Sequence, residues 1–209
     1  MKKKIDLLLV TLLLSFVGGF MDAYSVSFRG GKFIFMQTGN LITMIDDLIG
    51  RNWVGFWLGF LSFISFLFGV AIAVFILKKK ISLPLLIVLM VVLMIPTFFF
   101  PKTDGLDCSW FAIACLGIAA GILLEGFRFF IVPFTPTMMT NNSRLMVEAL
   151  FENKKKALVY LAILFSFLLG VASESTWIYF GSALYLSPLL PLFLMAFCAI
   201  LIVRAKEEI

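Results

Sequence analysis

Six apolar runs, near residues 5 to 28, 53 to 77, 81 to 100, 108 to 133, 157 to 180 and 182 to 203, leave this chain few folds to adopt. Each is long enough to cross the roughly 30 Å hydrocarbon core of a bilayer as a helix. The runs are continuously apolar and do not alternate at period two, so helices are expected rather than the strands of a barrel. Composition agrees, since 62% of the 209 residues are hydrophobic and 25 are Phe, more apolar surface than a soluble domain of this size can bury. The expected class is an all-α integral membrane protein of six transmembrane helices, a single membrane domain over residues 1–209 whose immediate partner is the lipid bilayer. Lys2, Lys3 and Lys4 ahead of a Leu-rich stretch look like the start of a secretory signal. No small-residue cleavage site follows, and an uncleaved first helix is expected.

Charge orients the spans. With the N-terminus inside, the inner segments hold Lys2, Lys3, Lys4, Lys78, Lys79, Lys80, Arg144, Lys154, Lys155, Lys156, Arg204 and Lys206, twelve of the 17 basic residues. The outer segments hold Arg29, Lys32, Arg51 and Lys102, and Arg128 belongs to the fourth span. This asymmetry follows the positive-inside rule with both termini cytoplasmic. It also disfavours spanning by the short apolar pieces 33 to 45 and 134 to 147, which would carry Lys78 to Lys80 outside. Those pieces are expected to be re-entrant, interfacial or continuations of broken helices, each needing protein or a water-filled cavity around its backbone.

The chain also echoes itself. MQTGNLITM at Met36 to Met44 returns as MMTNNSRLM at Met138 to Met146, and Gly19 with Gly121, Thr38 with Thr140, and Asn40 with Asn142 each lie 102 positions apart. One hydrophobic helix precedes each motif and two follow it. An odd number of spans inverts the next copy in the membrane, so the chain reads as two inverted three-helix repeats, 5–100 and 108–203, a pattern characteristic of transporters.

Little else offers chemistry. No histidine occurs, Cys108, Cys115 and Cys198 form no metal or disulfide pattern, and no GxSxG, HExxH or phosphate-loop motif is present, so neither an enzyme nor a cofactor site is expected. The net charge of +5 is explained by topology, and no nucleic-acid module accompanies it. The polar residues within or beside the spans remain. Asp22 must face a cavity, find a partner or bind a proton. Arg29, seven residues on and about 10 Å along the axis, reads as an interfacial residue snorkelling to water. Gly30 and Gly31 mark where the first helix ends or unwinds. Glu125 and Arg128 share a helix face and fit a structural ion pair as well as a substrate site. Glu174, among Ser173, Ser175 and Thr176, is either a proton-binding acid or a residue reaching solvent at its helix end. Gln37, Thr38 and Asn40 around Gly39, with Thr140, Asn141 and Asn142 in the second copy, suit either coordination of a small solute or helix capping. Gly55 with Gly59, and Gly117 with Gly121, are small-xxx-small pairs that bring helices close, within one chain or across a homodimer.

GFMDAYSVSFRGGKFIFMQTGNLI, from Gly19 to Ile42, resembles the hallmark of the YoaK-like family of bacterial polytopic inner-membrane proteins, where Gly-Phe-x-Asp-Ala is followed by a Phe-rich stretch and Thr-Gly-Asn. The resemblance implies about six helices in the cytoplasmic (inner) membrane and supplies no mechanism. Such proteins usually carry Gly-x-Gln-Asn-Ala and Met-Thr-Gly in the second half. Here the residues are Gly121-Ile122-Leu123-Leu124-Glu125 and Met139-Thr140-Asn141, so if relatives bind a ligand through the Gln-Asn pair, this member has either altered specificity, with Glu125 as the candidate substitute, or lost the activity. Two functions fit. One is a secondary transporter or permease for a small-molecule solute, with Asp22 and Glu174 coupling protons. The other is a non-transporting assembly or regulatory subunit whose polar motifs serve as caps and packing devices.

Overall fold

A computed structural model describes residues 2–79, 83–99, 109–127, 137–180 and 187–207, and the regular structure among them is all helical. The elements are α1 (Lys2–Phe28), α2 (Gln37–Ile49), α3 (Trp53–Lys78), α4 (Leu83–Met94), α5 (Pro96–Phe99), α6 (Ser109–Gly126), α7 (Met139–Glu152), α8 (Lys154–Tyr179) and α9 (Leu189–Glu207). By length and composition, three stretches can cross a membrane: Asp6–Phe28, Trp53–Lys78 and Lys154–Tyr179. Pro84–Met94, Trp110–Gly126 and Leu189–Arg204 are shorter apolar helices. The run expected over 81 to 100 is broken at Ile95, where the chain turns before Pro96, a residue with no N–H to continue the ladder. Cys108, Arg128 and the segments 100–108, 128–136 and 181–186 lie outside the described residues.

Local chemistry sets the helix ends. α1 stops because Gly30 and Gly31 both take φ +71, a left-handed geometry open to glycine. The α2–α3 connection turns through Gly50 and Arg51, and Asn52 then caps α3 by accepting the Gly55 N–H at 3.2 Å. Asn153 caps α8 in the same way, accepting from Lys155 and Lys156 at 3.0 and 3.3 Å. The residues that open α2 and α7, Met36 (φ −84, ψ 66) and Met138 (φ −89, ψ 74), share one backbone conformation.

Packing crosses between the two halves of the chain. α1 lies along α8 and α3 along α6, while α2 folds on α3 and α7 on α8; α9 packs on α1, α4 on α6, and α4 meets α9. Glycines permit the two longest contacts. A Cβ on Gly19 or Gly170 would strike the carbonyls of Phe167 or Phe16, and one on Gly69 or Gly121 would strike those of Ile118 or Phe66. Both pairs run parallel. Gly117 sits against Ser62 to Phe66 while Gly121 sits against Phe66 to Val70, and Ser166 Oγ donates to the Leu12 carbonyl at 2.7 Å while Gly170 sits against Phe16 and Phe20. The Gly117–Gly121 pair therefore packs helices of one chain, and Gly59 rests on Met44 of α2.

The buried core lies among α1, α4, α6 and α9, with Val17, Met21, Leu86, Met90, Leu116, Ile122 and Met195 at its centre. The outward faces of α3 and α8 are apolar and exposed, from Trp57, Ile64, Phe68 and Phe75 to Leu161, Phe165 and Leu169. Such a belt is stable where lipid covers it.

The glycine contacts make a testable distinction. Gly121→Ala drives a methyl into fixed backbone and is expected to cost about 1–3 kcal/mol, the range for overpacking. Gly126→Ala meets only the movable tip of Leu86 and should cost less. Thermal unfolding of the two variants in detergent checks the order.

Candidate functional site

The Arg29 N–H makes the last helical bond of α1, to the Ser25 carbonyl at 2.8 Å, and from Gly30 to Phe35 the chain runs without helical hydrogen bonding, so that side chains take over the backbone's needs. Asp22, on α1 and 4% exposed, accepts the N–H groups of Ile34 at 2.9 Å and Phe35 at 3.1 Å on one oxygen, Oδ1. Asn40, on α2, accepts the Phe33 N–H at 2.9 Å on Oδ1 and donates through Nδ2 to the Phe33 carbonyl, the two bonds a strand partner would make. Gln37 donates to the Ile34 carbonyl at 2.5 Å and accepts from Asn40 at 3.1 Å. Ser62 of α3 closes the network, its hydroxyl 3.1 Å from Asn40 Nδ2, 3.4 Å from Gln37 Nε2 and 3.3 Å from the Phe33 carbonyl. Lys32, itself buried, ties the loop to the end of α2 through a 2.7 Å ion pair with Asp47 and a 3.2 Å bond to Thr43. The Lys32 ammonium holds the Asp47 carboxyl below its usual range.

The loop is therefore pinned at each residue from Lys32 to Phe35, Ser25 donating to the Lys32 carbonyl at 2.5 Å. Its tip faces inward. Ile34 and Phe35 join Val17, Met21, Met90 and Leu116 around an apolar cavity of about 10 Å³, room for roughly one water.

Next to this loop lie buried charges with unfilled hydrogen-bonding capacity. Arg29 is 0% exposed; its Nη2 donates to the Tyr24 hydroxyl at 2.7 Å and to the Thr97 carbonyl at 3.0 Å, while Nε and Nη1 find no partner. Glu174 of α8 is 0% exposed, accepts from Ser187 at 3.0 Å on Oε1 and leaves Oε2 unpartnered. The Asp22 Oδ2 is likewise buried and unpartnered. Tyr24 lies within electrostatic reach of both Arg29 and Glu174.

These placements sort the residues singled out from the sequence. Asp22, Gln37 and Asn40 come together at the pinned loop, whereas Thr38 points outward and is exposed. In the similar segment Met138 to Met146, Asn142 is fully buried and Thr140 exposed, the same division. Glu125 is half-buried near the end of α6, and its expected partner Arg128 lies outside the described residues. Arg29 does not snorkel: the Gly30–Gly31 turn ends the helix and leaves its side chain folded inside. Nor does Glu174 reach solvent, and the hydroxyls of Ser173 and Thr176 bond back to Leu169 and Ala172 on their own helix. Sequence reasoning missed Tyr24, Lys32, Asp47, Ser62, Thr97 and Ser187. The signal for Lys32 and Asp47 was two opposite charges flanking an amphipathic segment; for Ser62 there was only a hydroxyl in an apolar helix.

The fold and site define a helical protein with several membrane-capable helices and a side-chain-pinned loop turned into its core. Residues 10–204 match the family described as protein of unknown function (DUF1275), and the chain belongs to that family. This membership is compatible with the YoaK-like resemblance of the first half. No curated protein and no solved structure matches the chain.

Replacing Asn40 with Ala leaves the Phe33 N–H without a partner and the Phe33 carbonyl with the Ser62 hydroxyl alone. It is expected to lower stability by about 1–3 kcal/mol, the cost of stranding buried polar groups. Thr38→Ala, on the exposed side of the same motif, should stay within about 0.5 kcal/mol of the parent. Thermal denaturation of both in detergent measures the contrast.

Proposed function

We propose that this protein is a proton-coupled secondary transporter or permease for a small solute, built from two inverted three-helix repeats over 5–100 and 108–203. It would sit in a bacterial cytoplasmic membrane with both termini inside. The single observation that carries the reading is the buried Asp22 carboxylate, which holds with one oxygen a loop whose Ile34 and Phe35 side chains close one side of the apolar cavity among α1, α4, α6 and α9. A carboxylate binds amide N–H groups roughly twice as strongly when charged as when neutral, so protonating Asp22 loosens the plug and ionisation draws it back. Glu174, also buried with a free oxygen, is a second candidate to carry a proton.

The repeat reading is supported by correspondence between the halves. Under it α1, α2, α3 and α4 answer to α6, α7, α8 and α9. The α1–α8 contact then answers to α6–α3, α2–α3 to α7–α8, and α1–α9 to α6–α4. Gly19 and Gly121 make equivalent contacts, as do Gly69 and Gly170, and the caps Asn52 and Asn153 and the openers Met36 and Met138 correspond too. The parallel course of α3 with α6, and of α1 with α8, fits six spans, in which the second and fourth, and the first and fifth, share a direction. Such pairing of inverted halves across a central site is how alternating access is built in many transporters.

One observation favours the second reading, a non-transporting assembly or regulatory subunit. The motif amides of Gln37 and Asn40 are already engaged by the protein's own backbone and Ser62, as a packing device would be. Reconstitution separates the two. In proteoliposomes screened for solute uptake under a proton gradient, Asp22→Asn should leave a folded, inserted protein whose proton-linked uptake is abolished. Uptake that is absent from the parent, or unchanged across pH in the variant, favours the passive subunit.

A further inference from the structure

We infer that Arg29 is the binding point for the carboxylate of a small organic monoanion. A guanidinium keeps its charge at any pH the cell meets, so burial cannot neutralise Arg29 as it can an acid. No carboxylate lies within 4.0 Å of it among the described residues, and only Nη2 is engaged, by the Tyr24 hydroxyl and the Thr97 carbonyl. The Nε hydrogen and both Nη1 hydrogens are left, and the Tyr24 hydroxyl, an acceptor for Arg29, keeps its own hydrogen to give. A fixed positive charge with several unfilled planar donors is the chemistry that recognises a two-oxygen acid group. One fixed positive charge is offered, so a monoanion is matched where a dianion would bring a charge with no partner. Gly30 and Gly31 follow Arg29 directly and are both exposed, so the buried guanidinium belongs to a residue next to the protein surface along the chain.

This names the solute class of the permease proposed above and rests on that reading for the anion being cargo; binding itself does not depend on it. The groups bonded to Arg29 are Tyr24 from its own helix and the Thr97 carbonyl from α5.

The test is thermal unfolding of the purified full-length protein titrated with sodium lactate, against sodium chloride and sodium phosphate at matched ionic strength. Lactate should raise the melting temperature saturably and the two inorganic salts should not. In Arg29→Gln the half-saturating concentration should rise at least about tenfold, the value of one lost charge-assisted hydrogen bond. Should that variant fail to fold, Arg29→Lys, which keeps the charge and loses the planar fork, should show a weaker shift in the same direction. An equal response to chloride, no response to lactate, or an unaltered response in both variants overturns the site. Arg29→Gln destabilisation relieved by Glu174→Gln, with no lactate effect in the parent, marks a structural charge pair and also overturns it. Lactate stabilisation without lactate uptake in proteoliposomes upholds the site and counts against the permease. Uptake of a neutral solute that is indifferent to Arg29→Gln upholds the permease and overturns the anion class.

Discussion

A peptide group buried away from water must find a hydrogen-bond partner, and among the described residues that demand falls hardest on the non-helical chain between α1 and α2. Asp22, Asn40, Gln37 and Ser62 meet it for Phe33 to Phe35 as the next turn of a helix would. Every other feature of the site follows from this substitution of side chains for backbone. Because the loop is held by groups on α1, α2 and α3, these elements are fixed relative to one another. Because Asp22 supplies two of the bonds from a single oxygen, the loop's position depends on one ionisable group.

Helix packing supplies the frame in which that loop works. With no side chain at Gly19, Gly69, Gly121 and Gly170, α1 meets α8 and α3 meets α6 backbone to backbone. Between apolar helices surrounded by lipid there is no hydrophobic gain in association, so close dispersion contact of this kind carries the cohesion. The core at the centre is different in character. It is rich in Met21, Met90, Met94 and Met195, unbranched side chains that adapt their shape to their neighbours at little cost.

Much of this was legible in the sequence, for physical reasons that differ by residue. The apolar runs are visible because lipid demands an unbroken apolar surface, and the end of α1 because Gly30 and Gly31 can adopt a backbone that other residues resist. The division of the QTGN motif was not legible: Asn40 and Gln37 turn inward and Thr38 outward, a matter of helix phase around α2 that the motif alone leaves open. Arg29 misled because a long basic side chain near a helix end ordinarily reaches for water, and only the turn that follows folds it inward. Lys32 with Asp47, and Glu174 with Ser187, are pairings between distant or separately folded segments, and local patterns do not carry them.

The inward loop, the cross-packed helices and the unfilled donors and acceptors of Arg29, Asp22 and Glu174 converge on one idea, a plug whose seat is a single carboxylate. The most direct measurement is amide hydrogen exchange at Ile34 and Phe35, read by mass spectrometry or NMR on the purified protein and on Asp22→Leu, which removes the acceptor and keeps the branching at Cγ. In the parent both amides should exchange as slowly as the middle of α1. In the variant they should exchange at least about tenfold faster, the loss of hydrogen bonds to a charged acceptor, while the amides of α3 and α6 stay protected. Equal exchange in the two proteins would mean that Asp22 does not hold the loop.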